Sequence, residues 1–313
     1  MAKMIRNRMA SLAIILFGLS ILAFGLTYLL PSDPIEELIT SMGTGHDPEV
    51  IRRLEEQYGT SRPFWEQYID WLTGIFRGDL GTSVKYNKPV SQVIAQKLPN
   101  TIKLACSSFA VMILIAFPLG ILSAIYKNRI ADYLIRFLSF IGVSMPSFWF
   151  GMILIWVLAV NLHWLPVSGS SSWRHMIMPT LTLAVGMSAS YIRRIRAVMV
   201  EQLNEEYISG CKSRGVSKRR IIWLHVLPNS LLAVITMLGM SFGSLLGGTM
   251  IVETVFSWNG IGKVCVDAIS ARDYQLIQGY VLWMGFIYVV VNLLVDISYS
   301  FIDPRIRRGM AQK

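Results

Sequence analysis

Six apolar runs dominate the chain, at residues 9–30, 104–126, 137–160, 176–192, 229–252 and 276–302. Most are free of charge, and each approaches the roughly 20 residues a helix needs to cross hydrocarbon. The pattern predicts six membrane-spanning helices, the fourth of them shortest and interrupted by Pro179. Residues 31–103 follow a different rhythm. Asp47-Pro48-Glu49 joins an N-cap, a proline at the first helical position and an acid in the first turn. Val50, Ile51, Leu54 and Tyr58 then share one face before Gly59. Pro63 opens a second amphipathic helix with Phe64, Tyr68, Trp71, Leu72 and Ile75 as its stripe and Gly78 as its stop. Trp65, Trp71 and Phe76 suit the headgroup level of a bilayer. The expected organisation is a first helix plus external cap over 1–103, a transmembrane domain over 104–303 and a basic tail over 304–313.

Composition agrees with a membrane solvent: 53% of residues are hydrophobic and 15% charged, against about 25% charged in soluble domains. The net charge of +10 raises the question of a nucleic-acid partner. Its distribution argues against one. Lys and Arg concentrate in segments 1–8, 127–136, 193–228 and 303–313, where Asp132, Glu201, Glu205, Glu206 and Asp303 are the only acids. With six spans these segments fall on one side, and short loops rich in Lys and Arg stay cytoplasmic. Both termini are therefore expected inside. The first run is about twice as long as a signal-peptide core, and Leu29-Leu30-Pro31-Ser32 lacks a small-x-small cleavage pattern, so it reads as a retained span.

Little in the spans suggests chemistry. Ser144-Met145-Pro146-Ser147 is a candidate kink, with Ser144 and Pro146 as candidate pathway residues, because a span tolerates proline where protein or water satisfies the freed carbonyl. Gly239, Gly243, Gly247 and Gly248 recur at a spacing that permits close helix contact, within the chain or with another subunit. Asp296 is the one carboxylate inside a run, near its end, and a lone acid builds no proton relay. That weighs against an ion-coupled secondary transporter. No paired carboxylates, nucleophile–base set or HExxH pattern supports an enzyme. Gly262-Lys263 lacks the spacing of a phosphate-binding loop, so any ATP must be handled by another polypeptide.

The largest polar interruption between runs is 193–228. Glu206, Tyr207, Cys211 and Gly215 precede Ser217, which is placed to cap a short helix over 218–227 ended by Pro228. Lys218, Arg219 and Arg220 crowd the start of that helix, where cations oppose the helix dipole. A partner or an anionic lipid surface would relieve that opposition.

This stretch resembles the E-A-A-x3-G-x9-I-x-L-P motif of ABC importer permeases. Ser209-Gly210-Cys211 stands at E-A-A, Gly215 at the glycine, His225 at the isoleucine, and Leu227 and Pro228 at the ending. The departures are similar to those of the dipeptide, oligopeptide and nickel subgroup. So are Gly78-Asp79-Leu80-Gly81-Thr82-Ser83, the segment from Gly247-Gly248 through Val252-Glu253 to Phe256, and Gly260-Ile261-Gly262 with Asn259 where proline is usual. Arg272-Asp273-Tyr274, Ile277-Gln278-Gly279 and Asp303-Pro304-Arg305-Ile306-Arg307 extend the likeness along the chain.

The resemblance implies an all-α, six-helix permease of the type I importer fold, multi-pass in the bacterial cytoplasmic membrane. It implies half of a pathway completed by a second, similar permease, two cytoplasmic ATPases that bind ATP and Mg, and an external solute-binding protein. No cofactor is implied on this chain. Glu206, Tyr207, Cys211, Gly215, Ser217, Lys218, Arg219, Arg220, His225, Leu227 and Pro228 become candidate ATPase-coupling residues. The stretch from Gly142 to Trp149, with Trp164-Leu165-Pro166 and His175, looks most similar to nickel-import permeases. Nickel or a chelate is thus the expected cargo, with dipeptides or oligopeptides as the alternative. Imidazole suits nickel, which makes His163 and His175 candidate ligands.

Overall fold

The fold is that of a computed structural model, which describes residues 2–29, 49 and 62–302. The expected helix at Asp47–Gly59 and the tail at 304–313 lie outside the described residues. The chain divides into two compact units, Met1–Thr101 with Asn259–Val290, and Ile102–Trp258 with Val291–Lys313.

In the first unit, α1 (Ala2–Leu29) packs against α2 (Phe64–Phe76). The predicted stripe on α2 is real. Tyr68 is buried, its hydroxyl lies 2.8 Å from Ser20 Oγ, and Phe24 meets the rings of Phe64, Tyr68 and Trp71 at 5.3–5.6 Å. Trp71 is therefore a packing residue, whereas Trp65 and Phe76 remain exposed. Gly78, at φ +82, closes α2: its N–H bonds to Ile75 O and the next N–H to Gly74 O. This is the Schellman arrangement, in which a left-handed residue satisfies the last carbonyls of a helix.

A short hairpin follows, β1 (Thr82–Ser83) paired antiparallel with β2 (Lys88–Pro89). It leads into α3 (Val90–Ile125), which begins well before the apolar run at 104. The early start has a clear cause. Val90, Val93 and Ile94 fall on one helical face and are almost fully buried with Ile261, Val264, Ala268 and Leu276. The segment reads as polar only when that periodicity is averaged away.

Ile261, Val264 and Ala268 belong to α10 (Ile261–Ser270), and Leu276 to α11 (Tyr274–Ile302). Between these two helices sits Asp273, 1% exposed. Its carboxylate accepts from Ser83 Oγ at 2.5 Å, from Lys85 N at 3.1 Å and from Leu276 N at 3.2 Å. One carboxylate thus caps α11 and pins the hairpin. The sequence motifs Gly78–Ser83 and Arg272–Tyr274 meet here.

The second unit contains the rest of α3, then α4 (Ile130–Ser144), α5 (Ser147–Leu154) with a π turn over Ile155–Asn161, and α6 (Trp173–Leu203). α7 (Glu206–Ser213), α8 (Lys218–Ile221), a second π turn (Ile222–Val226) and α9 (Leu227–Val255) follow. α6 packs against α4, α5 and α9.

Among the described residues, four helices are long and apolar enough to cross a membrane, and a fifth span arises if the bent pair α4–α5 counts as one. Six were expected. The third run is broken at Ser144–Pro146, where the helix axis turns by 102°. The fourth lies within α6, which carries Arg174, Arg193, Arg194, Arg196 and Glu201 and falls short in apolarity. Its buried face includes Thr180, Thr182, Ser188 and Tyr191. A helix sheathed by its own protein need not be apolar all round. α6 also runs on to Leu203, far past the apolar stretch.

Replacing Asp273 by alanine removes the α11 cap and leaves Ser83 Oγ without its acceptor. The expected cost is about 1–3 kcal/mol, read as a lower thermal midpoint of the detergent-solubilised protein. An unchanged midpoint would contradict the anchoring role.

Candidate functional site

The candidate coupling residues fold into one connected segment of the second unit. α7 starts with Glu206 in its first turn, where an acid favours the helix dipole. Its inner face is Ile208 and Cys211, both buried in the large apolar cluster that also holds Ile195, Met199, Ile221, Ile222 and Val226. Its outer face, with Lys212 and Arg214, is exposed.

Gly215 ends α7 for a definite reason. Its φ is +76, its N–H bonds to Lys212 O at 3.0 Å, and the Val216 N–H bonds to Cys211 O at 3.1 Å. Both hydrogen bonds of the Schellman arrangement are present, and Val216 packs on the same cluster as Cys211. A Cβ added at Gly215 would meet nothing within 4 Å. The glycine is needed for its backbone angle and not for close approach to any part of this chain.

Beyond the turn, two expectations are corrected. Ser217 does stand at the N-cap position of α8, but its side chain makes no capping bond. Pro228 does not end a helix. Helix continues from Lys218 into α9, with Pro228 in the first turn of α9. The π turn explains why. The Leu227 N–H bonds to Ile222 O, five residues back, which widens the coil just before the proline. His225 lies inside this π turn, and Leu227 is half-buried against the apolar cluster. Lys218, Arg219 and Arg220 are exposed, as are Trp223 and Leu224.

Tyr207, in the first turn of α7, ties the start of the segment to both flanking helices. Its hydroxyl donates to Gln202 Oε1 on α6 at 2.9 Å and accepts from Asn229 Nδ2 on α9 at 3.2 Å. α7 is therefore bonded to the helices before and after it. Sequence reasoning also missed Asp132, counted only as a charge, which is fully buried and joined to Arg196 on α6. A single acid in an otherwise basic interruption was the available signal.

The other candidates are scattered. Ser144 closes α4 and Pro146 precedes α5, and at the break an apolar groove is lined by Phe140, Ile141, Ser144, Met145, Phe148 and Trp149. Gly243 is buried, and Gly247 is exposed with open space where a Cβ would go. Gly248 falls outside the described side-chain environments. His163 is exposed and His175 half-buried, and the Nδ1 atom of His175 lies 2.8 Å from Ser172 Oγ. Among the described residues, no group of three His, Cys, Asp or Glu side chains is arranged to hold a metal ion.

The profile of the binding-protein-dependent transport system inner membrane component matches residues 116–308, and that of the corresponding N-terminal membrane component matches 1–105. The chain belongs to this family of ABC importer permeases. It is 36% identical over 301 residues to the glutathione transport system permease protein GsiC of Escherichia coli strain CFT073, covering 96% of this chain and 97% of that one. The Salmonella typhimurium protein of the same name is 36% identical over 307 residues, covering 98% and 99%. The fold is similar to the inward-facing MetNI methionine ABC transporter, with TM-score 0.57 and 13% identity over 68% of this chain and 97% of that one. It is also similar to an amino acid ABC transporter solved with histidines, with TM-score 0.54 and 18% identity over 71% and 96%. The chain is thus a multi-pass permease subunit of a bacterial ABC importer, and ATP hydrolysis resides in separate subunits.

Because the constraint at Gly215 is angular, Gly215→Ala and Gly215→Leu should destabilise α7 about equally, by about 1–2 kcal/mol. Gly215→Asn should cost less, since asparagine enters the left-handed region more readily. Limited proteolysis at the α7–α8 turn measures this. A penalty that grows with side-chain size would point instead to a hidden steric contact.

Proposed function

We propose that this permease forms half of an ATP-driven import pathway for a small peptide of the glutathione class. The observation that carries the reading is the 36% identity to glutathione permeases across 96–98% of the chain. The expected nickel specificity is not supported. The relatives that carry the match are named for glutathione, and among the described residues no group of three His, Cys, Asp or Glu side chains includes the two candidate histidines. The peptide alternative is the better reading. An ion-coupled transporter working alone does not fit a permease family whose motor is a separate subunit.

In this reading the partners are a second, similar permease, two ATPases carrying ATP and Mg, and a binding protein that delivers solute on the opposite side. Both termini and the α7–α8 segment face the ATPases. Glu206, Tyr207, Cys211, Gly215 and Ser217 shape that segment, and Lys218, Arg219 and Arg220 offer it exposed positive charge. His225, Leu227 and Pro228 carry it into α9. The bilayer surrounds the body, and a rigid-body push on a short, well-anchored helix is a recognised route to switching access between two sides.

The complex should be reconstituted in liposomes with its ATPase and binding-protein partners. ATP-dependent accumulation of radiolabelled glutathione or a dipeptide, without radioactive nickel, is expected. Replacing His163 and His175 together by alanine should leave that uptake unchanged. Nickel accumulation without peptide uptake, or uptake by the permease alone, would sink the reading.

A further inference from the structure

We propose that Arg196 and Asp132 form a positioning joint that makes α4 move with the α7–α8 coupling segment. Asp132 lies in the first turn of α4 and is fully buried. Each of its oxygens receives two donors. Arg196 Nε and Ser123 Oγ reach Oδ1 at 2.7 and 2.5 Å, while the second guanidinium arm and Asn128 N reach Oδ2 at 2.7 and 2.9 Å. The pair is a bidentate fork, which fixes orientation as well as distance. Its four donors come from three places: the end of α3, the α3–α4 turn and α6.

The surrounding packing makes this a joint and not a surface bridge. Gly120 on α3 lies so close to α6 that a Cβ would stand 2.8 Å from Ile195 Cβ. That approach, one residue from Arg196 and one turn from Ser123, lets a serine hydroxyl reach the same carboxylate. From Arg196, α6 continues to Leu203, and Ile195 and Met199 share the apolar cluster with Ile208 and Cys211 of α7 and Ile221 and Ile222 of α8. On the other side, α4 runs 15 residues from Ile130 to Ser144, where the 102° break begins. A rigid helix of that length reaches about 22 Å. Displacement of α7–α8 therefore passes through α6 to Asp132, and along α4 to the break at Ser144–Pro146.

Buried ion pairs add little net stability over apolar packing, and their best-attested use is to specify one arrangement. Here the arrangement specified is the registry of α4 on α6. Arg193 and Arg194, on the same helix, are exposed.

This inference rests on the coupling role proposed above, and the experiment separates the two. Ser144→Cys is introduced into the full complex, and its alkylation by a maleimide is followed with and without ATP and vanadate, against the parent chain as background. The nucleotide-dependent change in rate should fall at least tenfold on adding Arg196→Gln or Asp132→Asn, while the ATPase subunits still co-purify and hydrolyse ATP. Arg196→Lys, which keeps the charge but loses the fork, should give an intermediate response. A response equal to that of the parent in Arg196→Gln overturns the joint alone. So does a loss that merely tracks lost co-purification in both Arg196→Gln and Arg196→Lys. A parent chain that binds no ATPase subunit overturns the coupling role itself, and the joint with it.

Discussion

A helix leaves its last four carbonyls without intrahelical partners, and a chain that turns sharply between helices must satisfy them within a few residues. This chain meets that constraint repeatedly in the same way. At Gly78, Gly215, Ser257 and Arg272 a residue at positive φ turns the backbone so that two consecutive N–H groups fold back onto the final turn. Two of these sites use glycine. The other two retain a Cβ in the left-handed region, at φ +48 and +49, a conformation that costs roughly 1–2 kcal/mol. What they position offsets it. The residue after Ser257 is Trp258, 4% exposed, and the residue after Arg272 is Asp273, whose carboxylate holds the hairpin and caps the last helix.

The same constraint explains what could be read from the sequence. Gly78 and Gly215 were legible because glycine advertises a left-handed turn. Ser257 and Arg272 were not, because nothing in their side chains announces one. The apolar runs located four spans and both arms of the bent third, since burial in hydrocarbon demands continuous apolarity. They did not give helix lengths. α3 extends back to Val90 on a three-residue stripe, and α6 extends forward to Leu203 on a face that alternates Ile, Met and Arg. Helix continues wherever one face finds a core, and a hydropathy run registers only where all faces do.

Proline was the other source of error. The rule that helices end before proline is steric and local, and it takes no account of a coil that has already widened. At Pro228 helix persists after a π turn, whereas at Pro146 the axis bends by 102°. Helix also runs unbroken through Pro99 and Pro118 in α3 and Pro179 in α6, so proline alone marks no boundary. The ion pair between Asp132 and Arg196 was illegible for a simpler reason: 64 residues separate the partners, and no local pattern records such a distance.

These features together change the character of the α7–α8 segment from a surface loop to a braced lever. Tyr207 bonds it to α6 and α9, its inner face is set in the apolar cluster, and its far end is continuous with α9 through the π turn. A loop held at one end would absorb a push by bending. In the coupling role proposed above, a segment anchored at both ends and packed beneath would pass a push on, to α9 through the backbone and to α6 through Tyr207 and the core. α6 packs against α4, α5 and α9, and the polar residues of its buried face, Thr180, Thr182, Ser188 and Tyr191, lie against protein. On that face Tyr191 donates to Met237 O on α9 at 2.8 Å and Arg196 forks onto Asp132 of α4 at 2.7 Å, bonds that hold neighbouring helices and that lipid cannot compete for.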